Sequence, residues 1–189
     1  KEYVGGQVYE LRQDGTLILI DSGNVGSVRI DAPGYGNKTG ASFAITGTID
    51  IKGEQVGEGI GSGYTLRGTG ANFDLFKFMS DNSDVEYALL YNSKTGQGTF
   101  STTQEQMAVS NIEIPGDKEY GKYDTFYHNH PAIHDSKYYS EKDAITTDAL
   151  AEKGLKKSIL YNEDTGKTST YWDNKYGYDN SLYAGDDPW

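Results

Sequence analysis

All three histidines of the chain, His128, His130 and His134, fall within seven positions of one another. The stretch leading to them, Thr125-Phe126-Tyr127, is aromatic and β-favouring and reads as a strand that ends at the histidines. A strand turns residues i and i+2 to one face, so His128 and His130 can aim two imidazoles at one point while Asn129 faces away. Two nitrogen donors at that spacing suit zinc, which takes about four ligands and in catalytic sites keeps one position for water. Asp143 is the candidate third ligand. A Ser with an acid three residues later, Ser140 and Asp143, reads as a helix start, and a helix docked on the strand end could turn its first-turn carboxylate toward the metal. Pro131 ends strand pairing and redirects the chain there. The plainer reading is three exposed loop side chains. Helix capping by itself accounts for Ser140 and Asp143, but not for the histidine pair upstream of them.

The elements that must position these groups are legible in outline. "QVYELRQDGTLILIDSG" is a hairpin about the turn dipeptide Asp14-Gly15, and "ASFAITGTIDIKG" is a further strand or pair. "DAPGYGNKTG" and "GEQVGEGIGSGYTLRGTG" read as glycine-rich connections. The run Gly57, Gly59, Gly61, Gly63 is not read as a phosphate loop, because no apolar helix starts right after it and no Gly-Lys-Ser/Thr follows. Asn72 is a good N-cap type, and Phe73, Phe76 and Phe78 or Met79 recur at roughly helical spacing, predicting a short helix with a core-facing side. "DVEYALLYN" is an apolar strand that turns through "SKTGQG" into "TFSTTQ", and "MAVSNIEIP" is one more segment before the histidines. "SEKDAITTDALAEKG" is a helix closed by Gly154, and "KKSILYNEDTGKTSTYW" is a hairpin with a Gly-containing turn. From residue 72 the order is helix, three strands, histidine loop, helix, hairpin. The expectation is an α/β fold, a mixed sheet flanked by helices, with a β-rich extension or subdomain over residues 1–71, the main domain over 72–175 and an acidic aromatic tail over 176–189.

The bulk numbers exclude some functions. Seventeen Lys and Arg against 28 Asp and Glu, a formal charge of −11, do not supply the basic surface that phosphate binding needs, so no nucleic-acid partner is expected. No apolar run approaches the ~20 residues that cross a bilayer, so no membrane partner is expected. Zero cysteines exclude disulfides, thiolate nucleophiles and Cys-based zinc sites. Lys1 to Glu10 lacks the form of a signal peptide, so an export address is expected to have been removed or to lie in a larger parent protein. The letters His-Asn-His do not make an HNH nuclease, whose histidines and asparagine come from separated positions.

His128-x-His130-Pro131 followed by Ser140-x-x-Asp143 resembles the H-x-H-P…S-x-x-D signature of the JAMM (JAB/MPN-type) zinc metalloproteases. That family also has a glutamate at the start of an apolar strand after its first helix, and Glu86 in "DVEYALLYN" stands in that setting. The likeness covers roughly residues 72–172. The stretch between His130 and Ser140 is longer than the family's usual spacing, and His134 and Asp135 fall in it, which makes His134 a loop or substrate-contact residue first and a rival ligand second. The resemblance implies a JAMM/cytidine-deaminase-like fold, zinc on His128, His130 and Asp143 with water as fourth ligand, Glu86 as proton acceptor and donor, and Ser140 donating a hydrogen bond to the oxyanion. It implies hydrolysis of a peptide or isopeptide bond in a protein, with substrates joined to a ubiquitin-like modifier among the candidates. The alternative on the same fold is a non-catalytic interaction module, and retention of the ligands counts against it.

A β-rich stretch ahead of a JAMM-like module is also similar to the JAB-like toxin domains at the C-terminal end of bacterial polymorphic toxins, including those of the RHS type. This implies a secreted parent protein, delivery into a target cell whose cytoplasm is the site of action, and an immunity protein as a partner. The walls of a substrate groove are expected in "GDKEYGKYD" and "PAIHDSKYY", whose tyrosines supply contact area.

Overall fold

The computed structural model describes residues 6–23, 27–56, 59–103, 122–131 and 141–171. Strands β1 (Gln7–Leu11) and β2 (Leu17–Asp21) form the expected hairpin. Gly15 adopts φ 78° in its turn, and the Asp14 carboxylate accepts from the Thr16 N–H. Strand β3 (Val28–Ala32) runs parallel to β1 and antiparallel to β4 (Ala41–Ile45). "ASFAITGTIDIKG" contains two strands, but they do not pair with each other: β4 joins β3, whereas β5 (Asp50–Val56) joins the strand that follows it.

That following strand corrects the sequence reading. The glycine-rich stretch expected to be a connection is largely β6 (Gly59–Gly68), the longest strand among the described residues. It pairs with β5 along its length, and with β2 through Gly59 and Ile60. The glycines are there for close approach. The register between β5 and β6 shifts after Gly53, where Gly63 takes φ 115°, and a Cβ on Gly53 would lie 2.2 Å from Ile60 and 2.9 Å from Tyr64. Glycine in a strand marks a bulge or a tight crossing as well as a loop, and composition by itself does not separate the two.

Helix α1 (Phe73–Asp81) starts at Asn72, whose side chain accepts from the Leu75 N–H at 3.1 Å. Its Leu75, Phe76 and Met79 are fully buried. Strands β7 (Ala88–Tyr91) and β8 (Gly98–Thr102) form a hairpin, with β8 returning to pair with β6. Strand β9 (Thr125–His130) lies antiparallel to β7, and β10 (Lys157–Asn162) lies parallel to β9 on its other side. Helix α2 (Glu141–Glu152) precedes β10, which turns into β11 (Lys167–Tyr171). The fold is therefore α/β, with one mixed sheet ordered β11-β10-β9-β7-β8-β6-β2-β1-β3-β4 and β5 branching from β6.

One cluster of buried side chains runs from Tyr9, Leu11, Leu17 and Ile30 through Leu66 and Phe100 to α1. A smaller one gathers Ala88, Leu90, Phe126 and Leu150. Leu89 belongs to the first and its neighbours Ala88 and Leu90 to the second, so alternation along β7 divides the two clusters between the two faces of the sheet. The segments "MAVSNIEIP", 116–121 and 132–140, and the tail from 172 lie outside the described residues. No helix among the described residues is long and apolar enough to cross a membrane.

Candidate metal centre

Strand β9 is interior, with β7 and β10 fixing both of its edges. Its alternation turns Phe126, His128 and His130 to the face of the smaller cluster. Phe126 stacks on the His128 ring at 5.4 Å between centroids and 17° between planes. Both imidazoles are buried, at 5% and 7% exposure, and their ring centroids stand 5.3 Å apart.

The carboxylate comes from α2. Asp143, Thr147 and Leu150 recur at i, i+4 and i+7, one face of a helix. Leu150 packs in the cluster with Phe126, Ala88 and Leu90, and the Thr147 hydroxyl donates to Ser158 on β10 at 3.1 Å. These two contacts bring the first turn of α2 over the end of β9. The helix closes on a Schellman motif: Leu155 N–H bonds the Leu150 carbonyl at 3.1 Å, Gly154 N–H bonds the Ala151 carbonyl at 2.9 Å, and Gly154 takes φ 102°.

Asp143 spans the two histidines. Its Oδ1 lies 3.5 Å from His128 Nε2 and its Oδ2 lies 3.2 Å from His130 Nε2, and one donor atom from each of the three residues falls within 4.8 Å of the others. Ligands at ~2.0–2.1 Å around a tetrahedral zinc stand about 3.3 Å apart, so the carboxylate-to-imidazole distances are close to those of a tetrahedral edge. The donor set, two imidazoles and a carboxylate, is one that can hold a divalent metal. Its protonation state agrees. Burial lowers the His128 pKa and outweighs Asp143, which acts to raise it. Burial acts to raise the Asp143 pKa, but the hydrogen bonds of His128 and His130 overcome it and hold the carboxyl well below the usual carboxylate range. A neutral imidazole beside an ionised carboxylate is the form that metal binding requires.

Glu86 precedes β7. The β7–β9 register pairs Ala88 with His128, and the Asn129 N–H bonds the Tyr87 carbonyl at 3.4 Å. Glu86 thus stands two residues before the ladder that carries the imidazoles begins. Its own carbonyl accepts from the Thr102 hydroxyl at 2.7 Å. His134 and Ser140 lie outside the described residues.

Two groups beneath the site were not singled out from sequence. Asn129, read only as the residue facing away, is completely buried, and Glu163 in the β10–β11 turn hydrogen-bonds it at 2.6 Å. The one signal for Asn129 was its type, since asparagine is depleted in strands.

A mixed sheet with two imidazoles ending an interior strand, and a helix-borne carboxylate closing on them, makes an α/β domain whose three donors could hold a metal ion. Residues 64–170 match the family described as JAB-like toxin 1, and the chain belongs to that family. Comparison with curated proteins and with solved structures gave no match.

Proposed function

We propose that the chain is a zinc-dependent hydrolase of peptide or isopeptide bonds in a protein substrate, acting as the toxin module of a larger bacterial protein delivered into a target cell. The observation that carries this reading is the buried triad of His128, His130 and Asp143, with the Asp143 oxygens 3.5 and 3.2 Å from the two imidazoles. The intact donor set counts against a non-catalytic scaffold. Membership of a toxin family supports an effector role, and delivery and an immunity protein as partner follow from that role.

His128, His130 and Asp143 would hold the zinc ion, which when bound would supply Lewis-acid chemistry, lowering the pKa of a water toward ~7 and polarising the scissile carbonyl. Glu86 takes a proton from the attacking water at its carboxylate, then gives it to the amine nitrogen as the carbon–nitrogen bond breaks. Ser140 donates a hydrogen bond from its hydroxyl to the carbonyl oxygen as that oxygen gains charge. The burial of both imidazoles keeps bulk water from competing for the inner face of the site.

Metal content is the direct test. Purified protein is expected to hold close to one zinc per chain; His128→Ala, His130→Ala and Asp143→Ala each lose most of it, while His134→Ala and Glu86→Gln keep it. Glu86→Gln in addition abolishes hydrolysis. Loss of zinc in His134→Ala with retention in Asp143→Ala would mean a three-histidine site and would overturn the peptidase reading.

A further inference from the structure

We propose that Asn129 is a positioning residue that sets Glu86 opposite the two imidazoles, with Glu163 fixing the orientation of its amide. This rests on the reading of Glu86 as the proton carrier. Asn129 lies between His128 and His130 on β9 but points through the sheet to the other side, where it is completely buried. Its Oδ1 accepts from the Tyr87 N–H at 2.6 Å, and its Nδ2 donates to the Val85 carbonyl at 3.1 Å and to Glu163 Oε1 at 2.6 Å.

The Val85 carbonyl and the Tyr87 N–H belong to the two peptide units that flank Glu86. A single amide thus grips the backbone on both sides of the glutamate. The grip falls just where the ladder has not begun, since the regular pairing of β7 with β9 starts at Ala88 and the backbone bond at Tyr87 is long, at 3.4 Å. The strand that carries the imidazoles therefore also fixes the peptide that carries the glutamate, and it does so from the opposite face.

Glu163 decides which way the amide sits. An ionised carboxylate only accepts, so it must face the NH2 end of Asn129. That leaves Oδ1 for the Tyr87 N–H and a second N–H for the Val85 carbonyl. No other side chain of this size serves as well. Aspartate keeps the Tyr87 bond but lacks both donors and sets a second carboxylate against Glu163, while leucine makes none of the three bonds. Buried polar groups linked in this way hold a geometry only when every member is satisfied, and here all three contacts of the amide are made.

The test compares zinc titrations and crystal structures of zinc-loaded wild type, Asn129→Ala, Asn129→Asp and Glu163→Gln. Both Asn129 variants are expected to bind zinc within about tenfold of wild type, with His128 and His130 unmoved and the Glu86 carboxylate displaced by more than about 1 Å, enough to cost activity on the order of a hundredfold. Glu163→Gln, whose amide oxygen still accepts, leaves Glu86 in place. Asn129→Asp preserves shape and covers the case in which Asn129→Ala does not fold. An unmoved Glu86 in the Asn129 variants overturns the proposal, as does a displacement that carries the two histidines with it, because Asn129 would then be a general strut of the strand end. If wild type itself takes up no zinc, the metal reading falls instead, and the position of Glu86 in metal-free crystals of the same variants still decides the role of Asn129.

Discussion

The two faces of β9 are built by different means. On one face Tyr127 meets Phe73 at 5.1 Å and Phe76 at 6.1 Å, and Phe76 also contacts Phe100 and Tyr161 edge-on, within a cluster that reaches across the sheet to Ile30. On the other face Phe126 shares a small group with Ala88, Leu90 and Leu150, and the space beyond it holds two imidazoles and a carboxylate. The first face supplies stability in excess and holds the strand still. The second is where polar groups are kept close and dry, and among the described residues Leu150 carries its helix into the apolar cluster. A rigid element on one side permits an expensive arrangement on the other.

Breaking the aromatic face has the largest expected effect. Phe76→Ala removes a completely buried ring and is expected to destabilise the fold by about 3–5 kcal/mol, read as a lower denaturant midpoint, with zinc binding and unfolding lost together. Leu150→Ala, on the other face, is expected to cost about 2 kcal/mol and to separate the two properties: zinc affinity falls further than global stability does, because Leu150 holds the helix that carries Asp143. Zinc at a hundredfold its Kd stabilises the folded state by about 2.7 kcal/mol, so the melting temperature of this variant should recover when the metal is in large excess. Equal losses of stability and affinity in both variants would mean that the two faces do not differ in the way described. The smallest effect is expected at Gly154→Ala, where φ 102° disfavours a side chain by about 1–2 kcal/mol. Here hydrogen exchange should quicken in the last turn of α2 before it does in β9.

The family match and the triad agree on the kind of domain, and they fall in the same part of the chain, since residues 64–170 contain His128, His130 and Asp143. The match over residues 64–170 begins in β6, the strand that pairs with β5, β2 and β8 and so joins the N-terminal strands to the rest of the sheet. The strands before it share the same core cluster, with Tyr64 donating its hydroxyl to the Gly15 carbonyl at 2.8 Å.

Local physics made part of this protein readable from its sequence. The Asp14-Gly15 hairpin, the Asn72 cap, the Gly154 helix stop and the final hairpin all depend on interactions between residues within about five positions of each other, where residue type constrains backbone geometry directly. The histidine pair belongs with them, because i and i+2 on a strand must share a face whatever the strand packs against. Other features depend on partners far along the chain. Glycines that read as a loop form β6, since the bulge and close crossing they permit exist only once β5 lies alongside. Asp143 reaches the imidazoles through the docking of Leu150 and Thr147, whereas Ile145, the most apolar residue in the first half of the same helix, is 62% exposed. Asn129 looked idle because its partners are more than thirty positions away, at Val85, Tyr87 and Glu163. A buried amide acquires its role from the groups it satisfies, and only the tertiary structure decides which those are.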